Sequence, residues 1–115
     1  MLSQEQLLEA IGTLRRVGAE LHFNCPHPSG WNTMIVSDED LVAYALGQLH
    51  LPSKLTGLTP TEFASWMESG GYVQCCATTR HGRRCRKFVT HNRFDAPLAW
   101  KALADTHPYC ATHGG

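Results

Sequence analysis

Three cysteines and one histidine in the last third of the chain constrain its fold more than any other feature. Cys75 and Cys85 lie on either side of a polar, arginine-rich segment. Further along, Cys110 and His113 are separated by only two residues. Three thiolates and one imidazole complete the tetrahedral shell of a structural zinc site and leave no open position for a substrate. The sequence therefore predicts one structural Zn²⁺ per chain, with the ligands Cys75, Cys85, Cys110 and His113.

The first ligand position is ambiguous because two cysteines are adjacent there. Successive side chains of an extended segment point to opposite faces, so only one of Cys75 and Cys76 can face the metal. The residues alone leave this choice open. The alternative to a metal site is a set of unrelated buried cysteines, since cysteine is often buried without a function. The spacing in so short a chain favours the metal.

A further cysteine and histidine occur earlier in the chain. Cys25 and His27, with His22 nearby, would supply only part of a metal site, because two further ligands are missing from their surroundings in the sequence. Prolines stand on both sides of His27 and restrict the backbone there. We therefore interpret Cys25–Pro28 as a rigid turn.

The composition is that of a folded protein with one core. A length of 115 residues fits a single domain, and 43% hydrophobic with 17% charged residues gives no sign of disorder. Five cysteines without a secretion signal favour metal ligands and free thiols over disulfides. No apolar run reaches membrane-spanning length. We expect a protein of the cytoplasm of a bacterium or an infected host, with no membrane partner.

The net charge of zero hides a strong asymmetry along the chain. Residues 1–70 contain three Lys or Arg and eight Asp or Glu, whereas residues 71–115 contain seven and two. The first part is therefore acidic and the second part basic. Six basic residues fall between positions 80 and 93, where no acidic residue occurs, and they are candidate contacts to a partner: Arg80, Arg83, Arg84, Arg86, Lys87 and Arg93.

Two helix starts in the first half are marked by capping residues. Ser3 and Gln6 form a capping-box pattern before an amphipathic segment, which predicts a helix over about residues 4–18. Ser37 precedes three carboxylates, which are favourable at a helix N-terminus. This second helix should stop before Pro52.

A third helix is predicted to begin after Thr59, where a proline follows and Glu62 completes a capping box. The glycine pair that starts at Gly70 should end it. The segment between the first two helices is less informative. Residues 33–36 fit either a short strand or a buried extended segment.

After residue 70 the hydrophobic pattern changes to a period of two. Tyr72–Cys75 and Cys85–Val89 are predicted strands of a hairpin that turns at Gly82. Asp95 is a candidate cap for a fourth helix before the chain returns to Cys110.

Together these patterns predict an α+β fold that is mainly helical. Residues 1–70 should form an acidic lobe of three helices, and residues 71–115 a basic, zinc-binding lobe of one β-hairpin and one helix. We expect the two lobes to be parts of one compact body, because no linker separates them.

The metal-binding segment resembles a small zinc motif found in uncharacterised bacterial and phage proteins. The similarity comprises Cys-x-Ala-Thr-Thr-x-x-Gly-x-x-Cys over residues 75–85 and Tyr-Cys-x-x-His over residues 109–113. The resemblance implies that Cys75, not Cys76, is the first ligand, and it implies a bacterial or mobile-element origin. The span from Cys85 to Cys110 is longer here than in the short versions of the motif.

These features predict a non-catalytic binding protein. A short chain with a phage-like zinc motif is similar to small phage-encoded inhibitors of host defence, such as anti-CRISPR proteins. The expected partner is a protein or a ribonucleoprotein complex. The alternative is a nucleic-acid-binding regulator that uses the basic hairpin over residues 80–93, since phosphate contacts dominate nucleic-acid affinity. A head-to-tail homodimer would use the same charge separation.

An enzyme is the weaker alternative. His91 and Asn92, between the predicted hairpin and helix, are similar in placement to part of a His-Asn-His nuclease. That unit needs a histidine or asparagine in the following helix, and residues 95–105 contain neither. The sequence therefore predicts no catalytic residues.

Overall fold

The computed structural model describes residues 1–114 as an α+β protein that is mainly helical, which confirms the predicted fold class. In that range it contains six helices and one two-stranded antiparallel sheet. The elements in chain order are α1 (Gln4–Arg16), β1 (Phe23–His27), β2 (Gly30–Met34), α2 (Asp38–Ala45), α3 (Leu51–Thr56), α4 (Pro60–Glu68), α5 (Pro97–Ala104) and α6 (Ala111–Gly114).

The three predicted helix starts in the first seventy residues are confirmed. Ser3 and Gln6 form the expected capping box at α1. At α2, the hydroxyl of Ser37 accepts a hydrogen bond from the third backbone N–H of the helix. At α4, Thr59 and Glu62 form a second capping box. Each cap binds backbone N–H groups that have no partner within the helix.

Helix α3 was not predicted, so this part of the chain contains four helices instead of three. Pro52 does follow the end of α2, but it lies in the first turn of α3, where its missing N–H costs nothing. His50 precedes this helix and accepts a hydrogen bond from the backbone N–H of Ser53 through Nδ1 (3.2 Å). Gly57 ends it with a φ of 79°.

The sheet includes most of the segment interpreted as a rigid turn and, in β2, the first two of residues 33–36, which fitted a short strand. Strands β1 and β2 pair in register from Phe23 with Met34 to His27 with Gly30. Pro26 is part of β1, which proline tolerates because each strand of a two-stranded sheet has a free edge. The interpretation of Cys25–Pro28 as a rigid turn is therefore wrong for its first three residues, which belong to β1, and the turn consists of Pro28 and Ser29.

The fourth predicted helix is present as α5, but the prediction that Asp95 caps it is wrong. Ala96 occupies the N-cap position and makes no side-chain hydrogen bond. The Asp95 carboxylate instead pairs with Arg93 at 3.2 Å. Pro97 at the first helical position lacks an N–H, so one fewer backbone group needs a cap.

An aromatic core joins α4 and α5 to the segment between them. Its buried members are Leu58, Phe63, Trp66, Val73 and Trp100. The indole N–H of Trp66 donates to the carbonyl oxygen of Phe94 (3.0 Å), and that of Trp100 donates to the carbonyl oxygen of Tyr72 (2.9 Å). The core therefore includes residues from both sides of position 70.

Two further contacts fix α5 and the segment before it against α4. The Lys101 ammonium on α5 forms a salt bridge with Glu62 on α4. Gly71, just after α4, accepts a hydrogen bond from the Phe94 backbone N–H (2.7 Å). Gly71 has a φ of 87°, and a Cβ atom there would lie 2.9 Å from the Phe94 carbonyl oxygen, so only glycine fits.

The N-terminal helix is attached much less firmly. Helix α1 has no buried residue, and its Arg15 pairs with Asp38 of α2 at 2.7 Å. The molecule is elongated, with extents of 60 × 25 × 18 Å. Its radius of gyration is 18.7 Å, against roughly 13 Å for a compact domain of this length.

Trp66→Ala should lower the free energy of unfolding by about 3–5 kcal/mol, because it empties the centre of the aromatic core and removes the bond to Phe94. Trp31→Ala is the matched control, since Trp31 is 71% exposed, and it should change stability by less than about 0.5 kcal/mol. Chemical denaturation of both variants measures the difference. Equal losses would contradict the assigned core.

Candidate metal centre

The four predicted ligands come together in space. Their ligating atoms all lie within 4.8 Å of one another. The sulfur of Cys110 is 4.0 Å from that of Cys85 and 3.3 Å from Nδ1 of His113. The sulfur of Cys75 is 3.6 Å from the same nitrogen. These side chains form a plausible site for a single metal ion.

The separations have the size that a tetrahedral ion requires. With metal–sulfur bonds of about 2.3 Å and metal–nitrogen bonds of about 2.0–2.1 Å, tetrahedral geometry places two sulfurs about 3.8 Å apart and a sulfur and a nitrogen about 3.6 Å apart. The distances of 4.0, 3.6 and 3.3 Å in the cluster are close to these values. The three sulfurs are buried, and the imidazole closes the exposed side.

Two extended segments place Cys75 and Cys85. The backbone N–H of Cys75 donates to the carbonyl oxygen of Lys87, and that of Cys85 donates to Ala77, both at 2.8 Å. The segments pair in the predicted antiparallel direction, but only as isolated bridges, not as regular strands. One reason is that the N–H of Ala77 points at the Cys75 sulfur (3.4 Å) instead of across to the facing segment.

The other two ligands come from one turn of chain at α6. Cys110 immediately precedes the helix, and its carbonyl oxygen accepts hydrogen bonds from the backbone N–H groups of His113 (3.0 Å) and Gly114 (2.7 Å). This turn brings the Cys110 sulfur and the His113 ring to the same side. Both side chains could therefore bind one ion from this single turn, as their separation by two residues allows.

The surroundings of the cluster favour the thiolate form of two cysteines. Burial raises the pKa of Cys110, but hydrogen bonds from the backbone N–H and the ring of His113 outweigh it and lower the pKa to about 6. Burial likewise raises the pKa of Cys75. Hydrogen bonds from the backbone N–H groups of Cys110 and Ala77 outweigh burial, so the pKa of this thiol lies below its usual value. Contacts with Cys110 and Cys75 raise the pKa of His113.

For Cys85, the effects that raise the pKa outweigh those that lower it. The backbone N–H of Lys87 lowers its pKa, but burial and the neighbouring thiols of Cys75 and Cys110 raise it above the usual value. A third negative charge is therefore unfavourable in this space without a cation. A divalent ion would remove that penalty, since metal binding deprotonates thiols.

Cys76 lies apart from the cluster. It is partly exposed, and its sulfur is 3.7 Å from a guanidinium nitrogen of Arg84. Its backbone N–H donates to the carbonyl oxygen of Pro108 (2.9 Å). Cys75 is thus the member of the adjacent pair that lies with the other ligands.

Cys25 is buried, and His27 connects β1 to other parts of the structure. Burial raises the pKa of the Cys25 thiol. His27 donates from Nε2 to the carbonyl oxygen of Asp95 (2.9 Å) and accepts at Nδ1 from the Ser29 hydroxyl (2.6 Å). Its ring lies edge-on to Trp66, with 5.1 Å between ring centroids. Among residues 1–114, the four-residue cluster is the only group of three or more side chains that could hold a metal ion.

The six predicted contact residues are all exposed, but only four of them share a surface. A cavity of about 740 Å³ beside the metal cluster is lined by Arg83, Arg84, Arg86 and Lys87. Arg80 is not among its lining residues, and Arg93 is paired with Asp95. The positive charge of the segment is therefore divided between a basic cavity and two separate arginines.

No family model, curated protein or solved structure matches this chain. Over the part of the chain that the structure describes, no helix combines the length and the apolar character needed to cross a bilayer. The properties of the site must therefore be inferred from its own residues.

Cys85→Ser should abolish binding of one metal ion per chain, because it removes a buried ligand. Cys76→Ser is the matched control, since it makes the same chemical change at the adjacent thiol outside the cluster, and it should retain the metal. Elemental analysis of the purified variants gives the stoichiometry. Loss of metal from Cys76→Ser together with retention in Cys85→Ser would overturn the assignment.

Proposed function

We propose that this protein is a non-catalytic, zinc-stabilised binding protein whose basic segment, residues 80–93, contacts a macromolecular partner. One observation supports the proposal: a cluster of four potential metal ligands lies beside the cavity that the basic side chains line, and some of these side chains are adjacent to the ligands in the sequence. The metal would hold these side chains in place. It would not take part in a reaction, because four protein ligands leave no open position.

Zinc is the ion that we propose. Three thiolates and one imidazole form a soft ligand set, whereas Mg²⁺ and Ca²⁺ require oxygen ligands. The cluster contains no carboxylate. The spacing of the ligating atoms also suits an ion with tetrahedral coordination, which is the usual geometry of structural zinc.

The contacts around the cluster explain how zinc would organise the basic side chains. Arg84 and Arg86 flank the ligand Cys85 directly. The Arg84 side chain also donates from Nε to the carbonyl oxygen of Cys75 (3.1 Å). Lys87 donates from Nζ to the hydroxyl of Thr112 (3.0 Å), next to the ligand His113. The positions of these cations therefore depend on the metal site.

The partner that we propose is a protein or ribonucleoprotein complex of a host defence system, which the protein would inhibit as anti-CRISPR proteins do. Two features support this: the resemblance of residues 75–113 to a motif of bacterial and phage proteins, and the opposite charges of the two parts of the chain. An acidic region beside a basic one favours a partner with a complementary charge pattern. We place this activity in the cytoplasm, where the five cysteines, none of which forms a disulfide, would remain reduced.

A nucleic-acid-binding regulator is the second candidate. The observation that favours it is the cavity lined by four cationic side chains, which would suit a chain of phosphates. The acidic residues of the first seventy positions would confine such binding to the basic segment.

Removal of zinc with a strong chelator should unfold the segment from residue 72 to residue 95, because only isolated bridges within it would remain once the metal bonds are lost. Hydrogen exchange should show loss of protection in this segment first. Addition of Zn²⁺ should restore it. Unchanged protection after confirmed metal removal would contradict a structural role for the ion.

Charge reversal at the basic segment should abolish partner binding. Arg83→Glu changes an exposed residue of the cavity, and Arg16→Glu makes the same change in total charge on α1. With the zinc-loaded protein as bait in host lysate, a stoichiometric complex should form with the wild type and with Arg16→Glu but not with Arg83→Glu. Equal capture by both variants would rule out the basic segment as the contact surface.

A further inference from the structure

Two cavities meet at the basic segment and share two of its arginines. The first, of about 600 Å³, lies between α4, α5 and the extended segments, and its lining includes Tyr72 and Phe88. The second is the basic cavity of about 740 Å³ beside the metal cluster. Arg84 and Arg86 line both. The two cavities therefore adjoin along these two arginines, and we call them together the two-cavity surface.

The first cavity offers an aromatic stack. The rings of Tyr72 and Phe88 are nearly parallel, at an interplanar angle of 11° and a centroid distance of 4.9 Å. Phe88 is 44% exposed, although it is a large apolar side chain. A planar ligand could extend this stack, and nucleobases do so on aromatic side chains with little sequence preference.

The two cavities differ in charge. Glu68 lines the first cavity and partly offsets the charges of Arg84 and Arg86 there. The side chains that line the second cavity include no carboxylate, and they supply the cations of Arg83, Arg86 and Lys87. The second cavity is therefore the more cationic, which favours an anionic backbone there and the uncharged planar group of the same ligand in the first cavity, against Tyr72 and Phe88.

We propose that the two-cavity surface binds single-stranded nucleic acid, with a base stacked on Phe88 and backbone phosphates on Arg83, Arg86 and Lys87. The proposal rests on the proposed function, since it requires the basic segment to be the binding surface. A duplex fits this arrangement poorly, because each of its internal bases already stacks on both faces. Single-stranded RNA and DNA share the required chemistry.

The metal site would prepare this surface for binding. Arg84 lies between the cavities, and its guanidinium donates to the carbonyl oxygens of Cys75 (3.1 Å) and Gln74 (3.4 Å). Gln74 is also the residue that bridges to Phe88. The aromatic ring and the cations are thus fixed to the same short stretch of backbone, which lowers the entropy cost of ordering them on binding.

Fluorescence anisotropy of the zinc-loaded, full-length protein with labelled oligouridylate, oligothymidylate and a duplex of the same length tests the proposal. We expect a single strand to bind more tightly than the duplex, and the ratio of the two homopolymers identifies RNA or DNA as the preferred form. Three phosphate contacts predict a slope of about −2 for log affinity against log salt. A duplex that binds as tightly as both single strands would overturn the proposal.

Variants at Phe88 separate stacking from charge. Phe88→Leu keeps an apolar side chain but removes the ring, and it should weaken binding roughly 5- to 150-fold without changing the salt slope. Phe88→Tyr, which keeps an aromatic ring, should bind with the affinity of the wild type. Arg83→Gln should instead reduce the slope by about 0.7. Wild-type affinity in a Phe88→Leu variant that retains its metal and its melting temperature would refute the stacking role.

The outcomes distinguish this inference from the function on which it rests. A protein that contains zinc and captures a protein partner through Arg83, yet binds none of the three oligonucleotides, would disprove the inference and leave the proposed function intact. A protein without zinc in which Arg83→Glu also leaves partner capture unchanged would disprove the proposed function itself.

Discussion

The crowding of three thiols and one imidazole around a common centre is the interaction on which the C-terminal part of this molecule depends. From residue 72 to residue 95 the chain makes no regular strand or helix, and its two bridges are isolated. The buried sulfurs of Cys75, Cys85 and Cys110 occupy the place that a hydrophobic core would have elsewhere. Coordination of a metal ion there would replace the burial of apolar area that so short a segment cannot provide.

The metal cluster and the aromatic core are neighbours, not separate units. Val89 packs against both of them. On the other side, the indole N–H groups of Trp66 and Trp100 donate to backbone carbonyl oxygens of the segment that carries the cluster. Two sets of contacts therefore fix the position of the basic side chains. One is the Cys/His cluster, and the other is the core formed with helices α4 and α5. A binding surface on such a segment gains its rigidity from side chains, because regular backbone pairing is sparse.

Patterns of residues close together in the sequence predicted the helix starts in the first seventy residues and the candidate metal ligands. Contacts between residues far apart in the sequence were not predictable. Capping by Ser3, Ser37 and Thr59 involves residues only three positions apart, and ligand spacing reflects the chemistry of the ion. Helix α3 was missed because proline both ends helices and begins them. The bond from His27 to the carbonyl of Asp95 spans 68 positions, and no periodicity or motif indicates it.

The shared packing of Val89 has an optical consequence. Trp66 and Trp100 are almost fully buried in the core that Val89 contacts, whereas Trp31 is exposed. Indole emission depends on the polarity and rigidity of its surroundings. Loss of a bound metal ion would disturb the packing around Val89 and with it the surroundings of these two rings, so intrinsic fluorescence would report metal occupancy without an added dye.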